Sequence, residues 1–234
     1  MGSEMCIRDR HAWSGRIDYI HDERGERGRE WFTVTTHEDG HRVVRARCEM
    51  DDTEIMRDVT YSMNGFTPEE AYIRIVIKGK HEGSGWFTFD ENEAHCEAMI
   101  AGGGRVSQTM KTPGPAASFG AHPVLCDCLH ASLYKHGGPK RQHVTNILNS
   151  SHSPDGSTGP MLGEWEFDIE FIGEERITVP AGTFDTYHYT YHLDHYGWAP
   201  EEVWVMPGSN QLVKIYWEVL KTSYVLAELN GDPR

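Results

Sequence analysis

Short runs in which polar and apolar residues alternate follow one another along most of the chain. Arg29–His37 is rich in Trp, Phe, Val and Thr, a turn at Glu38-Asp39-Gly40 follows, and Arg42–Met50 resumes the alternation. Val44 and Cys48 fall on one face of that second run. A period of two predicts a half-buried strand, so these two runs and their turn predict a β-hairpin.

The same pattern predicts a sheet along the rest of the chain. Further strands are predicted at Arg16–His21, Ile55–Met63, Ala71–Lys78, Gly85–Asp90, Ala94–Ile100, Arg105–Met110, Glu164–Ile172, Ile177–Val179, Thr183–Leu193, Glu202–Val205, Leu212–Glu218 and Ser223–Leu229. This succession predicts a mainly β fold, an antiparallel meander that forms a barrel-like or strongly curved sheet. Residues 11–234 fit one domain, because all-β domains of about 200–250 residues are common.

One segment departs from the strand pattern. Val124–Lys135 carries leucines at a spacing of four residues, Pro123 suits its first turn, and Gly137 and Gly138 suit its end. The spacing predicts one helix that is packed as a cap or plug of the barrel. Asn149–Gly163 is rich in Ser, Gly and Pro, and a loop of about 15 residues is long enough to be functional.

The charge of the chain excludes two classes of partner. The 234 residues include 22 basic and 36 acidic side chains, which gives a net charge of −14. This charge argues against binding to nucleic acid or to an anionic membrane. No run approaches the ~18 apolar residues of a membrane span, so no membrane-spanning segment is expected.

The amino terminus and the cysteines bear on location. Met1–Arg10 resembles the translation of sequencing adapter at the edge of a metagenomic contig, and we interpret it as a non-native or disordered leader. No secretion leader is evident, although a leader lost from the true start would change this prediction. An odd number of cysteines is not a disulfide framework, so a reducing, cytoplasmic location is expected. The five cysteines are Cys6, Cys48, Cys96, Cys126 and Cys128.

Histidine is unusually frequent, with 14 in the chain, and a metal site is one interpretation. His122, Cys126 and His130 fall at the helical spacing i, i+4 and i+8, near one face. His188 and His192 are four residues apart on a strand, or about 13 Å, which is too far for one zinc ion. Cap, core and surface roles explain these residues more simply, so neither a metal nor a cofactor is expected.

Acid–base chemistry is the second interpretation of the histidines. Asp127 and His130 lie three residues apart and face each other on a helix, where a carboxylate fixes the imidazole tautomer and raises its basicity. His122, at the helix start, feels the positive end of the helix dipole, which favours the neutral imidazole. The alternative for Asp127 and His130 is a solvated surface pair.

The strand at Thr183–Leu193 leaves two orientations open. Alternation places Tyr189 and the other tyrosines on one face, and His188 and His192 on the other. The histidines are solvated if the tyrosines pack in the core, and they line a polar cavity if the opposite face points inward. Trp86 and the other large aromatic residues suit either a cavity wall or a packed core.

Two further segments supply polar groups. Arg57 and Asp58 are adjacent in a predicted strand and lie on opposite faces, so one of them points into the fold and needs a partner. A buried structural ion pair is the first interpretation, and a ligand anchor is the second. His152 follows two serines, but the chain has no Gly-x-Ser-x-Gly elbow, which argues against a serine hydrolase.

The segment Glu174–Thr186 contains the sequence Val-Pro-Ala-Gly-Thr-Phe between two predicted strands. It resembles uncharacterised bacterial curved-sheet proteins of the kind of domain of unknown function 3108, over the last third of the chain. The resemblance implies an extended antiparallel sheet of lipocalin-like architecture, with at most a cavity for an apolar ligand. Typical members look exported, whereas this chain shows no leader, and no catalytic residue is carried over.

These observations predict a cofactor-independent enzyme that acts on a small, largely apolar or aromatic metabolite in the barrel cavity. The expected reaction is histidine-assisted proton transfer of the lyase, hydratase or isomerase type. The expected catalytic residues are His122 as base, Asp127 with His130 as an oriented pair, and His188 as a second acid. The expected ligand contacts are Trp86, Arg57, Tyr189, His192 and His152.

The alternative function is a non-catalytic, lipocalin-like binder or carrier of an apolar ligand. Convergent polar groups in the cavity would favour the enzyme, and a uniformly apolar cavity would favour the carrier. The expected partner is a small apolar or aromatic molecule, with neither nucleic acid nor a membrane. A homodimer is left open.

Overall fold

The computed structural model describes residues 10–233, and the strands of this part of the chain form one sheet. Its fifteen strands are β1 (Arg10–His21), β2 (Gly25–His37), β3 (His41–Met50), β4 (Ile55–Asn64), β5 (Thr67–Ile77), β6 (Lys80–Phe89), β7 (Glu93–Ile100), β8 (Gly104–Lys111), β9 (Ser118–Gly120), β10 (Arg141–Asn149), β11 (Gly163–Val179), β12 (Gly182–His192), β13 (Glu201–Val205), β14 (Leu212–Trp217) and β15 (Thr222–Asn230). The described helices are α1 (Val124–Asp127) and 3₁₀ helices at Cys128–Leu133, Asp194–Tyr196 and Glu218–Leu220.

Most neighbouring strands in the sheet are also neighbours along the chain. The order runs from β8 back to β1 and then from β15 back to β9, so β1 joins the two halves by pairing with both β2 and β15. The neighbours are antiparallel, except for β9 and β10, which are parallel. The sheet is strongly curved and does not close, because β8 and β9 each have one neighbour only. The mainly β, barrel-like prediction is confirmed.

The β9 edge of the sheet is rolled into the interior. Phe119 in β9 is fully buried, and its ring centroid lies 5.8 Å from that of Tyr61 in β4. The rings of Phe87 and Phe89 in β6 lie 5.1 and 4.8 Å from it. The β9 edge therefore packs against β4 and β6 through aromatic side chains, and in the described sheet it is not joined to them by a ladder of backbone hydrogen bonds.

Inner-face and outer-face residues alternate along the strands. In β4, Arg57, Val59, Tyr61 and Met63 are buried, whereas Thr60 between them is exposed. Burial of one residue in two follows from the period of a strand and places one continuous apolar core inside the rolled sheet.

The same alternation decides the orientation of β12. Tyr189 is 2% exposed and faces the interior. His188 and His192 lie on the outer face, with their Nε2 atoms 2.7 Å from Glu202 Oε2 and 2.9 Å from Glu170 Oε2. Of the two orientations left open by the sequence, the tyrosine core is the observed one.

Two strands lie where the sequence pattern predicts none. β9 has only three residues and follows a stretch rich in Gly, Pro and Ala. β10 is polar at most positions, and its register shifts between Val144 and Ile147, where Asn146 has a φ of 59°. This irregularity breaks the period of two on which the prediction depends. β11 is continuous and joins two predicted strands.

The predicted helix over Val124–Lys135 is shorter in the structure. The α-helix covers Val124–Asp127, and the chain continues as a 3₁₀ helix to Leu133. Tyr134 then adopts an extended conformation that places its ring centroid 5.8 Å from Phe171 and 5.6 Å from Tyr189. Packing of this ring against β11 and β12 ends the helix before the length that the leucine spacing predicts.

The remaining sequence predictions concern the terminus, the cysteines and the membrane. Residues 1–9, including Cys6, lie outside the described part of the chain, and Arg10 pairs with His37 as the first residue of β1. No helix formed by residues 10–233 has the length and apolar character needed to cross a membrane. The described cysteines are free and buried: Cys48, Cys96, Cys126 and Cys128.

Adjacent aromatic residues in β6 provide a test of the two faces of the sheet. Phe87 is fully buried, whereas Trp86 is 51% exposed on the outer face. We expect Phe87→Ala to lower the free energy of unfolding by about 3–5 kcal/mol, because it removes a ring from a packed core. Trp86→Ala is the control and should cost less than about 1 kcal/mol. Urea unfolding followed by circular dichroism measures both, and equal losses would contradict the assignment of faces.

Candidate functional site

A cavity of about 160 Å³ lies between the inner face of the sheet, α1 and the loop that connects β10 to β11. Its aromatic lining residues are Tyr19, Trp165, Tyr196, Trp198, Trp217 and Tyr224. Its charged lining residues are Arg27, Arg57, Asp127, Asp155, Glu164 and Glu201. Aromatic walls with a few charged groups are the usual composition of a small-molecule site.

Glu30 holds α1 against the sheet beside this cavity. Its carboxyl group is fully buried, and Oε2 accepts hydrogen bonds from the Tyr19 hydroxyl at 2.8 Å and the Val124 N–H at 2.9 Å. The Cys48 thiol donates to Oε2 at 3.5 Å, and the Leu125 N–H donates to Oε1 at 3.4 Å. Burial raises the pKa of Glu30 to about 7, although these hydrogen bonds oppose the rise. The bonds fix the first turn of α1.

Two carboxyl groups face the cavity, from Asp127 at the end of α1 and Glu201 at the start of β13. Glu201 is 7% exposed, and burial raises its pKa to about 8. Burial, followed by repulsion from Glu201 and Glu30, raises the pKa of Asp127 well above its ordinary value. Within residues 10–233 no side chain forms an ion pair with either group. Two such carboxyl groups cannot both ionise readily, so the pair keeps a proton at neutral pH.

Arg57 enters the cavity from β4 as a buried cation. It is 1% exposed, its Nε donates to the Gly156 carbonyl at 2.7 Å, and its Nη2 donates to the Thr158 carbonyl at 3.0 Å. Nη1 has no hydrogen-bond partner in the described chain. Burial lowers the pKa of Arg57 to about 10, so the guanidinium is charged at neutral pH.

The prediction that one residue of Arg57 and Asp58 points into the fold is confirmed. Asp58 is on the outer face, where its Oδ2 lies 3.1 Å from Arg74 Nη1. The inward residue, Arg57, bonds to backbone carbonyls of the loop and not to a carboxylate. The first interpretation, a buried structural ion pair, is therefore not observed. Arg57 instead holds the loop, and its Nη1 has no hydrogen-bond partner among residues 10–233.

His122 precedes α1 in a left-handed backbone conformation, with a φ of 78°. Its Nε2 donates to the Ser153 carbonyl at 2.9 Å, and burial, followed by the charge of Arg57, lowers its pKa to about 3. The imidazole is therefore neutral, but the cause is burial and not the dipole of the four-residue α1. Gly156 permits this close packing, because a Cβ there would lie 2.4 Å from His122 Cδ2.

His130 lies behind the cavity wall, and it is 1% exposed. Its Nδ1 is 2.7 Å from Ser118 Oγ, and its Nε2 has no hydrogen-bond partner among residues 10–233. Burial lowers its pKa to about 4. The ring packs against Trp165 and Phe167, at centroid distances of 6.3 and 5.7 Å. Because its ring is held there, the predicted hydrogen-bonded pair of His130 with Asp127 does not form.

The structure brings four of the predicted site residues to the cavity and leaves the others elsewhere. The four are Arg57, His122, Asp127 and His152, the last of them exposed at the rim. Alternation along the strands turns three others to the outer face, and they do not reach the interior: Trp86, His188 and His192.

The remaining two predicted residues, His130 and Tyr189, are inside but are not part of the cavity wall. The Tyr189 hydroxyl lies 3.1 Å from His136 Nε2, in an aromatic cluster with Tyr134 and Phe171. His188 on the outer face stacks on Trp204, with the ring centroids 4.1 Å apart. The histidines therefore do not converge on one point.

Two charged residues that shape or face the cavity, Glu30 and Glu201, were not predicted from the sequence. Glu30 shares the inner face of its predicted strand with Phe32 and Val34, so the period of two contained the signal. Glu201 lies one residue before the predicted start of its strand. Extending that strand by one residue places Glu201 on the inner face with Val203.

Among residues 10–233, one group of side chains brings its ligand atoms close enough together to hold a metal ion. It consists of Asp90, Glu93 and His95, which lie around the exposed turn between β6 and β7, away from the cavity. Exposed acidic groups of this kind are common without an ion. His122, Cys126 and His130, at helical spacing in the sequence, do not bring their ligand atoms together.

The fold and the cavity define a β-barrel-like protein with an open, strongly curved sheet. The chain is similar to a β-barrel-like protein of domain of unknown function DUF1849 from Brucella abortus, with a TM-score of 0.57 and 10% sequence identity. The similarity covers 95% of this chain and 97% of that chain, and at this identity it shows the fold alone. No family model and no curated protein matches the sequence. The resemblance to domain of unknown function 3108 is thus supported only as far as an uncharacterised curved-sheet protein.

The raised pKa of Glu201 predicts how stability depends on pH. Between the ordinary value of 4.5 and about 8, the folded protein binds more protons at this group than the unfolded chain does. The free energy of unfolding should therefore fall as the pH rises through this range. Glu201→Gln removes the titration, and the fall should become shallower by up to about 1.4 kcal/mol per pH unit.

Denaturant unfolding at several pH values measures this dependence, and Glu202→Gln is the matched control. Burial of Glu202 favours the neutral acid, but hydrogen bonds from His188 and Thr190 outweigh it and lower the pKa. The titration of Glu202 therefore lies below the range, and its substitution should leave the slope unchanged. The same slope in the Glu201→Gln variant as in the original protein would contradict the assignment.

Proposed function

We propose that this protein binds a small, largely apolar or aromatic molecule in the cavity and acts on it by acid–base proton transfer without a cofactor. The observation that carries the proposal is the pair formed by the buried Glu201 and the half-buried Asp127, two carboxyl groups that face one aromatic-walled cavity. A pair that keeps one proton near neutral pH offers a general acid and a general base in the same site.

The pair supports an isomerisation or a related step on a carbonyl compound. The carboxylate takes a proton from the carbon next to the carbonyl, and the electron pair of that C–H bond moves to form an enol. The carboxylic acid gives its proton to the carbonyl oxygen in this step. In a β,γ-unsaturated carbonyl compound the enol is a dienol, and the protonated base returns its proton to the γ carbon while the enol O–H returns its proton to the other carboxylate. The double bond then lies next to the carbonyl, no oxidation or reduction occurs, and both carboxyl groups regain their starting states.

In this function the proton is transferred by the carboxyl groups and not by the histidines that the sequence predicts. The Nε2 proton of His122 is committed to the Ser153 carbonyl, and burial keeps this imidazole neutral, so we assign it to positioning of the loop. His130 is behind the wall, and His188 is outside it. Asp127 keeps the catalytic role expected from the sequence, but with Glu201 as its partner.

A non-catalytic binder or carrier is the second candidate, and the six aromatic residues of the cavity wall favour it. Both functions need the same cavity, and they differ only in whether a bound molecule exchanges protons with Asp127 and Glu201. A cytoplasmic location stays a prediction from the sequence, and the oligomeric state stays open.

Hydrogen–deuterium exchange separates the two functions without knowledge of the natural substrate. Acetophenone and cyclohexanone are small ketones with exchangeable C–H bonds, and quenching of tryptophan fluorescence reports their entry next to Trp165, Trp198 and Trp217. In D₂O we expect the protein to accelerate the loss of these C–H signals in proton NMR. Asp127→Asn and Glu201→Gln should each slow the exchange by about 10²-fold or more, as for loss of a general acid or base.

Glu202→Gln is the control, because this neighbouring carboxyl group is on the outer face and should leave exchange unchanged. The proposed proton transfer would be overturned if a ketone quenches the tryptophan fluorescence but its C–H protons exchange no faster with the original protein than with the Glu201→Gln variant. The carrier would then take its place.

A further inference from the structure

We propose that the ligand of this cavity carries a carboxylate, which Arg57 binds through the free Nη1 of its guanidinium group. The inference rests on the proposed function, because the ligand is the molecule on which the cavity acts. It adds the chemical class, a carboxylate attached to one apolar or aromatic ring.

The bonding of Arg57 leaves one donor without an acceptor. Nε and Nη2 donate to the Gly156 and Thr158 carbonyls, whereas Nη1 is buried and has no hydrogen-bond partner in the described chain. The Arg57 side chain is part of the cavity wall. Asp155 is the acidic residue whose charge acts on Arg57 from the loop, but the two do not form an ion pair. Asp155 instead accepts hydrogen bonds from Ser153 Oγ and the Ser157 N–H.

Arg27, Asp127 and Glu201, which also line the cavity, can each lower the cost of a buried charge by pairing or by protonation, whereas Arg57 cannot. Arg27 lies 3.2 Å from Asp52, with which it forms an ion pair. The Asp127 and Glu201 pair lowers its charge by keeping one proton. An arginine does not lose its charge at neutral pH, and an unpaired buried charge is costly. An anion that enters the cavity therefore supplies the counter-charge and the hydrogen-bond acceptor that Arg57 lacks. A carboxylate matches the edge of a guanidinium group well.

The size and walls of the cavity limit the rest of the ligand. Its volume is about 160 Å³. An engineered cavity of about 150 Å³ holds a benzene molecule, so one ring with a small substituent is the appropriate size. The aromatic walls provide apolar contacts for that ring.

Three molecules of nearly identical shape test the charge directly on the intact protein. Benzoate is an anion, benzamide is neutral and benzamidinium is a cation, and isothermal titration at pH 7 gives the affinity of each. We expect benzoate to bind at least tenfold more tightly than benzamide and benzamidinium to bind most weakly. Equal affinities would overturn the proposal. Tightest binding of benzamidinium would also overturn it and would make the Asp127 and Glu201 pair a cation site.

Two arginine variants identify the residue that binds the carboxylate of benzoate. Arg57→Gln should weaken benzoate binding at least tenfold and change benzamide binding less than twofold, which separates loss of the anchor from a general disturbance of the loop. Arg27→Gln is the matched control, because Arg27 also lines the cavity but is paired with Asp52, and it should weaken benzoate binding less than threefold. An equal loss of benzoate and benzamide binding in Arg57→Gln would contradict the anchor.

The outcomes are independent of the exchange experiment on ketones. Benzoate selectivity without ketone exchange would leave the carboxylate site in place and remove the acid–base function. Ketone exchange without benzoate selectivity would support the acid–base function and remove the carboxylate site.

Discussion

The hydrogen bonds that converge on the buried carboxyl group of Glu30 connect the parts of the molecule that form the cavity. They join β2 to Tyr19 in β1 and to the backbone N–H groups of Val124 and Leu125. The first N–H groups of a helix have no partner within it, and a carboxyl group placed there satisfies them. A helix of four residues has little stability of its own, so its position depends on this contact. The residues on either side of α1 reach the cavity as a consequence.

The charges of this protein are arranged differently on the two faces of the sheet. On the outer face, the imidazoles of His188 and His192 lie against the carboxylates of Glu202 and Glu170. At the cavity, by contrast, the described part of the chain offers no hydrogen-bond partner to Arg57 Nη1 and no cationic partner to Asp127 or Glu201. Unpaired groups in the interior are unfavourable for stability, and folded proteins tolerate them mainly where function requires them. This difference, more than the abundance of histidine, marks the candidate site.

The period of two predicts most of the sheet and both faces of β3 and β4, because it follows directly from the geometry of a strand. It fails at β10, where an irregular register at Asn146 removes the alternation. The leucine spacing, in turn, predicts a longer helix than the one observed, because the chain changes to a 3₁₀ helix after Asp127 and becomes extended at Tyr134. Local sequence patterns are limited in the same way at the candidate site. Arg57 and Asp127 are found from their neighbours in the sequence. The period of two also places Glu30 and Glu201 on the inner face, but their contacts with α1 and with the cavity come from distant parts of the chain, which a local pattern does not contain.

The side-chain contact of the β9 edge with β4 and β6 gives this architecture a freedom that a closed barrel lacks. The circumference of a closed barrel is fixed by its number of strands and their stagger, so a change of width requires new hydrogen-bond partners for entire strands. Here the sheet ends at β9, and the contact of Phe119 with β4 and β6 is made by side chains. The rings of Phe119, Tyr61, Phe87 and Phe89 therefore fill the space between the β9 edge and the strands that it contacts. Substitutions at these rings offer a route by which related chains could diverge in cavity size while every strand keeps its neighbours.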